Sequence, residues 1–259
     1  MYKIHPKTLF VGQKIHYLPS CQSTNDEAAQ IIASDEPAEG LIVITDAQLA
    51  GRGQRGNVWQ AESGQNLTMS VILRPSFLSA TEQFWLNMAV SLGITDALES
   101  FTEGLLRIKW PNDIYVENTK TGGILIENTL QGAGIACSVI GIGLNVNQVQ
   151  FIYPSATSLQ KRFPMPDGYS LPSLLTTIAE RLEQRYLQLR AGKRADLKTA
   201  YLQRLFRYQE EHWFEREDEQ GYWQRFRGYI VGIDETGRLA IATDNRIHYF
   251  GFKEVSFVI

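Results

Sequence analysis

Cysteine is scarce in this chain: its 259 residues include two, Cys21 and Cys137. Neither sits in a C-x-x-C pair, which excludes a disulfide framework and a zinc knuckle, and a reducing cytoplasm is the simplest compartment. The N-terminal stretch "MYKIHPKTLFVG" has neither the charged head nor the apolar core of a secretory signal. No apolar run reaches the length needed to span a bilayer, so no membrane association is expected. An excess of positive charge is also missing. The formal net charge is −3, whereas a general nucleic-acid binder is more often basic. The four histidines (His5, His16, His212, His248) have no metal-ligand spacing, and no Ser-His-Asp or Cys-His arrangement stands out. A Walker loop is absent as well, because Gly192-Lys193 is followed by Arg194 rather than Ser or Thr.

What is present is ordinary globular material, 44% hydrophobic and 20% charged. β-Branched and apolar runs predict strands near 14–18, 40–45, 67–74, 105–110, 114–116, 122–129 and 137–146. Helical patterns alternate with them. "STNDEAAQIIAS" opens on Thr24-x-x-Glu27, a capping-box spacing, and a second such box starts at Ser79-x-x-Glu82 ahead of Phe84, Met88 and Leu92. Leu175, Ile178, Leu182, Tyr186 and Leu189 share one face of a third helix, and "RADLKTAYLQRLFRYQEE" reads as a further one. From about His212 onward, short strands separated by close turn signals suggest a small all-β barrel or sandwich. With no low-complexity linker between them, the two parts are expected to pack together. The expected division is 1–211 and 212–259.

Three stretches hold residues suited to chemistry. "AGRGQRGNVW", from Ala50 to Trp59, spells G-x-G-x-x-G at Gly51, Gly53 and Gly56. A dinucleotide-binding turn needs a strand running straight into it and a helix starting at the third glycine. Here "DAQLA" intervenes before the loop, and "NVWQAESGQNLTMSVIL" after it shows no helical period. The redox reading therefore fails. What remains is a glycine-rich loop whose backbone N–H groups can approach an anion, with the forked donors of Arg52 and Arg55 and the flat face of Trp59. A surface loop with two solvated arginines and a core tryptophan fits these residues equally well.

The second stretch is "RIKWPNDIYVENTKTGGILIE", Arg107 to Glu127. Asn112 and Asp113 follow a Pro-directed turn; they suit either the turn itself or oxygen ligation of Mg²⁺. Lys109 and Lys120 are either edge-strand gatekeepers or, for Lys120, a point charge beside a reacting anion. Gly122 and Gly123 leave the strand bare where a ligand would cross it. In the third stretch, "IGIGLNVN", Gly141 and Gly143 thin a strand ahead of Asn145.

The order "CQSTNDEA", "AQLAGRGQRGNVW", "KWPNDIYV", "KTGGILIE", "GIGLNVN" closely resembles the catalytic region of biotin–protein ligases. The resemblance implies an α+β fold, a mixed sheet flanked by helices, with a small C-terminal SH3-like β-barrel. It implies that biotin is activated with ATP and Mg²⁺ to biotinyl-5′-AMP and passed to a lysine of a biotin carboxyl carrier protein. A homodimer is compatible with it. By the same resemblance, Ser23, Thr24, Gln48, Gly51, Arg52, Lys120, Gly123 and Leu125 bind biotin. Arg52, Gly53, Gln54, Arg55, Gly56, Trp59, Asn112, Lys120 and Asn145 bind the nucleotide. Arg52, Lys120 and Asp113 are the expected catalytic residues, with Asp113 the ligand of Mg²⁺.

Two departures from the family pattern stand out. Gln54 takes the place of a second loop arginine, which removes a charge from the adenylate-holding loop. The stretch before the Ser-Thr-Asn motif is also too short for the helix-turn-helix of the repressor members, so operator binding is not expected. The rival readings are a lipoate- or octanoate-protein ligase and a non-enzymatic biotin- or nucleotide-dependent regulator. The first lacks its Arg-Arg-x-x-Gly-Gly-Gly motif here.

Overall fold

The structure is a computed structural model that describes residues 2–218, 221–244 and 246–259, apart from the side chain of Arg55. Seven strands form one mixed sheet: β1 (Ile15–Cys21), β2 (Ile42–Gln48), β3 (Leu67–Leu73), β4 (Leu106–Lys109), β5 (Asp113–Val116), β6 (Thr119–Gln131) and β7 (Gly134–Leu144). Their order is β1-β2-β3-β7-β6-β5-β4, with β1 and β2 parallel and every other neighbouring pair antiparallel. Each strand expected from β-branched content is present, and the ends move by a few residues.

Two-sided cover explains the apolar centre of this sheet. All residues of β3, "LTMSVIL", are buried, as expected of a strand with both faces covered. On one face lies α1 (Thr24–Ser34), which places Ala28 against Val43, Ile72, Cys137 and Val139. On the other lie α2 (Gln83–Thr102) and α4 (Leu171–Arg190). The predicted face of α4 is buried at Leu175, Ile178, Leu182, Tyr186 and Leu189. Between them in the chain is the one-turn helix α3 (Leu159–Arg162). No helix among the described residues is long and apolar enough to cross a membrane.

The two expected capping boxes have different outcomes. At Ser79 the backbone N–H donates to the Glu82 carboxylate at 2.9 Å. At α1 the N-cap is Ser23, and no side chain caps it. Thr24 is occupied elsewhere, its backbone N–H donating to Gln48 Oε1 at 2.8 Å. Tertiary partners have outcompeted the local cap.

The helix read over 194–211 stops earlier: α5 runs Arg194–Arg204. Leu205 pairs in parallel with Ile108, and Phe206 N–H donates to the Ile108 carbonyl. Extended backbone satisfied by β4 is the better arrangement for the apolar "LF" pair.

The rest of the chain forms an antiparallel sheet of β8 (Glu211–Glu217), β9 (Trp223–Ile233), β10 (Leu239–Ala242), β11 (Ile247–Phe250) and β12 (Val255–Phe257). Its order is β11-β10-β9-β8-β12. A closed barrel was expected. Among the described residues, however, the end strands β11 and β12 do not pair, so this is an open five-stranded sheet of SH3-like character. The sheet rests on the larger unit, as the absence of a linker suggested. Trp110 Nε1 donates to the Gly237 carbonyl at 2.9 Å, and Phe252 packs with Trp110 at 5.3 Å between ring centroids.

Candidate functional site

A cleft of about 660 Å³ opens where the glycine-rich loop, β5, β6 and β7 meet the C-terminal sheet. The loop is a closed arch. Arg52 and Val58 form an antiparallel bridge, Gly53 N–H donates to the Asn57 carbonyl at 2.7 Å, and residues Gln54–Gly56 make a single 3₁₀ turn. Loop and then β3 follow it, and the next helical residues are the 3₁₀ turn Ala80–Glu82 that leads into α2, which agrees with the sequence argument against a dinucleotide turn.

The arch sets Trp59 across the sheet. A Cβ on Gly143 would lie 2.3 Å from the Trp59 ring, so only glycine admits the indole there. The Trp59 Nε1–H is buried and has no partner among the described residues. A buried donor left unpaired costs free energy, which a ligand acceptor can recover. Gly141, two residues earlier and on the same face, makes room for Asn25, whose Oδ1 would be 2.5 Å from an added Cβ.

Asn25 is the hub of a polar wall. Its Oδ1 accepts from Ser70 Oγ at 2.6 Å, and its Nδ2 donates to Glu127 Oε2 at 2.6 Å. Ser70 also bonds the Thr24 hydroxyl at 2.7 Å. Ser23, Thr24 and Gln48 complete the cleft lining on this side. Arg52 reaches back to the same wall, with Nη2 2.6 Å from Asp26 and 3.4 Å from Glu127. The loop cation is thus tethered by two carboxylates.

Opposite stands an ion pair. Lys120 Nζ lies 2.6 Å from Asp113 Oδ1. Both groups pack against Gly123, where an added Cβ would sit 3.2 Å from the ammonium and 3.5 Å from the carboxylate. The ammonium is also 6.0 Å from the Trp59 ring centroid. The turn before β5 is built by Asn112, whose Nδ2 donates to the Ile124 carbonyl while its own carbonyl accepts from Ile124 N–H. Asn112 thus stands in the turn, ties it to β6 and also lines the cleft.

Lys109, on the end strand β4, lines the same cleft. It donates to Tyr115 Oη at 3.2 Å and sits 5.3 Å from the Phe257 ring centroid. Burial lowers its pKa, with Lys120 and Arg207 adding to that effect and Asp113 opposing it.

Most sequence-derived candidates converge here: Arg52, Gly53 and Gln54 from the loop, then Gly123 and Leu125 from β6, all line the cleft. Gly51 and Gly56 are not among the lining residues, and the Arg55 side chain lies outside the described residues. Asn145 stands away from the lining. It is buried, and its Nδ2 donates to the Thr157 carbonyl at 2.9 Å. Sequence reasoning missed Asn25 and Lys109 as lining residues, together with Glu217, Trp223, Phe252 and Phe257 of the C-terminal part. The third letter of "STN" was a usable signal for Asn25. Lys109 opens the "KWPNDIYV" motif, and nothing local marked those of the C-terminal part.

Residues 17–145, which contain the glycine loop, the Lys120–Asp113 pair and the glycine-thinned β7, match the sequence profile described as Biotin/lipoate A/B protein ligase family. The domain they form belongs to that family. Among curated relatives of this ligase-family domain is the Bifunctional ligase/repressor BirA of Bacillus spizizenii, 37% identical over 161 residues that cover 60% of this chain and 49% of the relative. The Biotin--[acetyl-CoA-carboxylase] ligase of Mycobacterium tuberculosis is 32% identical over 65% of this chain and 62% of its own length. The chain thus spans about half the length of the BirA relatives it matches. In fold it is similar to the biotin protein ligase of Aquifex aeolicus solved with biotin and ATP. There the TM-score is 0.77 at 24% identity, covering 94% of this chain and 98% of the other.

Proposed function

We propose that this chain activates biotin with ATP to biotinyl-5′-AMP and transfers the biotin to a lysine of a biotin carboxyl carrier protein. The observation that carries this reading is one cleft lined together by the Lys120–Asp113 pair, the Trp59 platform on Gly143 and the polar side chains of Ser23, Thr24 and Gln48. The wall suits a ureido ring, which both donates and accepts hydrogen bonds. A plain dithiolane offers these groups neither an N–H nor a carbonyl, and this favours biotin over lipoate.

Adenylation brings a carboxylate onto the α-phosphorus of ATP and expels pyrophosphate, an anion attacking a polyanion. Positive charge and alignment must do most of the work. Lys120 is placed to neutralise oxygens on the reacting phosphoryl group, and Arg52 adds charge once released from Asp26 and Glu127. Trp59 offers its face to adenine. In the second step the carrier amine, as the free base, attacks the acyl carbon and AMP leaves. Asp113 orients that amine.

No cluster of three or more metal-ligating side chains exists among the described residues. The donor set still fits Mg²⁺, which commonly uses one or two carboxylates and takes its remaining ligands from substrate phosphates and water. Asp113 would hold it, and the ion would supply charge neutralisation on the phosphates. We assign residues 1–211 to the catalytic unit and 212–259 to an accessory unit that closes one side of the cleft. We place the protein in the cytoplasm, in keeping with its two buried free thiols.

The test is incubation of the full chain with biotin, MgATP and a biotin carboxyl carrier domain, followed by streptavidin detection. Label on the carrier lysine supports the proposal. Label only when lipoate or octanoate replaces biotin, detected by mass, would transfer the reaction to that substrate class. No adenylation with any of these acids would leave a binding module.

A further inference from the structure

The C-terminal sheet carries a second recess, of about 290 Å³, lined by Arg216, Phe226, Arg227, Thr243, Arg246 and His248. None of these residues lines the large cleft. Strand pairing gathers them: Arg216 near the end of β8, Phe226 and Arg227 on β9, and Thr243 and Arg246 in the connection that leads to His248 on β11. Their charges are unusually ill-matched.

Arg216 Nη1 lies 3.3 Å from His248 Nδ1, and Arg246 Nε lies 3.3 Å from His248 Nε2. A neutral imidazole has one lone pair and one N–H, and an imidazolium has no lone pair at all. The ring can therefore accept from at most one of the two guanidinium groups. The other donor faces an N–H.

Carboxylates do not resolve the conflict. Among the described residues Arg216 and Arg246 have no ion pair, and Arg227 has one, Glu211 at 3.7 Å. The floor of the recess is aromatic. Phe226 stacks with Phe250 and Phe214, each at 5.7 Å between centroids, and the Arg216 guanidinium lies 5.3 Å from the Phe226 centroid. An apolar floor strengthens any ion pair formed above it. Burial, then Arg246 and Arg216, push the His248 pKa down, so the ring is neutral near pH 7 and has one N–H to give.

We propose that this recess binds a compact phosphoryl-bearing anion, held by the guanidinium groups of Arg216 and Arg246 with His248 donating a further hydrogen bond. Forked guanidinium donors match tetrahedral oxyanions, and two of them around one group satisfy the donors that the imidazole cannot. The volume suits inorganic phosphate, pyrophosphate or the terminal group of a phosphomonoester. The site is independent of the ligase reading.

The experiment is a titration of the full chain with inorganic phosphate, inorganic pyrophosphate and O-phosphoserine. Ionic strength is held constant with chloride, and the His248 ring nitrogens are followed by NMR. A saturable shift is expected, with affinity lowered at least tenfold in Arg216→Gln and in Arg246→Gln. Saturation by the inorganic anions alone identifies a free-anion site, and saturation by O-phosphoserine as well identifies one for phosphomonoesters. Shifts that do not saturate, that chloride reproduces, or that survive both substitutions would overturn the proposal. Arg246 is exposed at the mouth of the β10–β11 connection, so Arg246→Gln decides the matter if Arg216→Gln fails to fold.

Discussion

Lys120 Nζ and Asp113 Oδ1 are 2.6 Å apart across the β5–β6 ladder, and the bare backbone of Gly123 lies beneath both. The pair is only part-buried, at 33% and 23% side-chain exposure. Its worth to the fold is therefore small, and its worth to an anionic ligand is larger. Lys120→Ala is expected to lower adenylation roughly 100-fold, the usual cost of removing one preorganised donor to developing charge, and to leave the circular dichroism spectrum unchanged. Pyrophosphate release measures the first effect. Unchanged rates would remove Lys120 from the site.

Trp59 and Gly143 form the second test. Trp59→Ala removes the proposed stacking face, and loss of an aromatic platform under a base costs about 1–3 kcal/mol. The expected result is a KM for ATP raised on the order of tenfold or more, with the KM for biotin little changed. Gly143→Ala places a methyl group where the indole lies and should shift both the KM for ATP and the tryptophan fluorescence in the same direction.

Gly141→Ala probes the polar wall. Its Cβ would displace Asn25 from Ser70 and Glu127, and losing a hydrogen bond to a charged partner costs about 1.5–3 kcal/mol. The KM for biotin should rise about tenfold, while the KM for ATP stays near its original value. Equal effects on both substrates would argue that the wall is merely structural.

Gln54 lines the cleft at the position where the family resemblance leads one to expect an arginine. Gln54→Arg adds a charge-assisted contact to the loop. The adenylate should then leave the enzyme roughly tenfold more slowly, by the cost of such a bond, as measured by trapping released biotinyl-5′-AMP with hydroxylamine.

Glu82 gives a prediction about stability. Hydrogen bonds from the Ser79 backbone and side chain, with Arg194 nearby, hold its carboxyl below the usual carboxylate range. A depressed folded pKa adds stability above the unfolded value near 4.3, and that stability is lost as pH falls through the folded value. Glu82→Gln should therefore cost about 1 kcal/mol at pH 7, the size of a helix cap, and progressively less below about pH 4. Urea unfolding at the two pH values measures the difference.

Much of the fold was legible because β-branched runs and helical spacing are local signals. The seven strands of the main sheet and the buried face of α4 follow from them directly. Where long-range partners intervene, the local reading fails: Thr24 gives up its cap for Gln48, and Leu205 leaves the helix for Ile108. The open end of the second sheet depends on how β11 and β12 are placed, and no short window of sequence encodes that. The site divides in the same way. Its glycines, Lys120 and Trp59 lie within motifs. Lys109 was indistinguishable from an edge lysine, and Glu217, Trp223 and Phe257 reach the cleft only because the two parts pack together.

Biotin-dependent release of pyrophosphate from MgATP, measured with the full chain and with Lys120→Ala, tests the central claim most directly. The account predicts release that requires biotin, is accompanied by label on a carrier domain when one is added, and falls roughly 100-fold in the variant. Release that ignores biotin, or none at all from a folded chain, would contradict it.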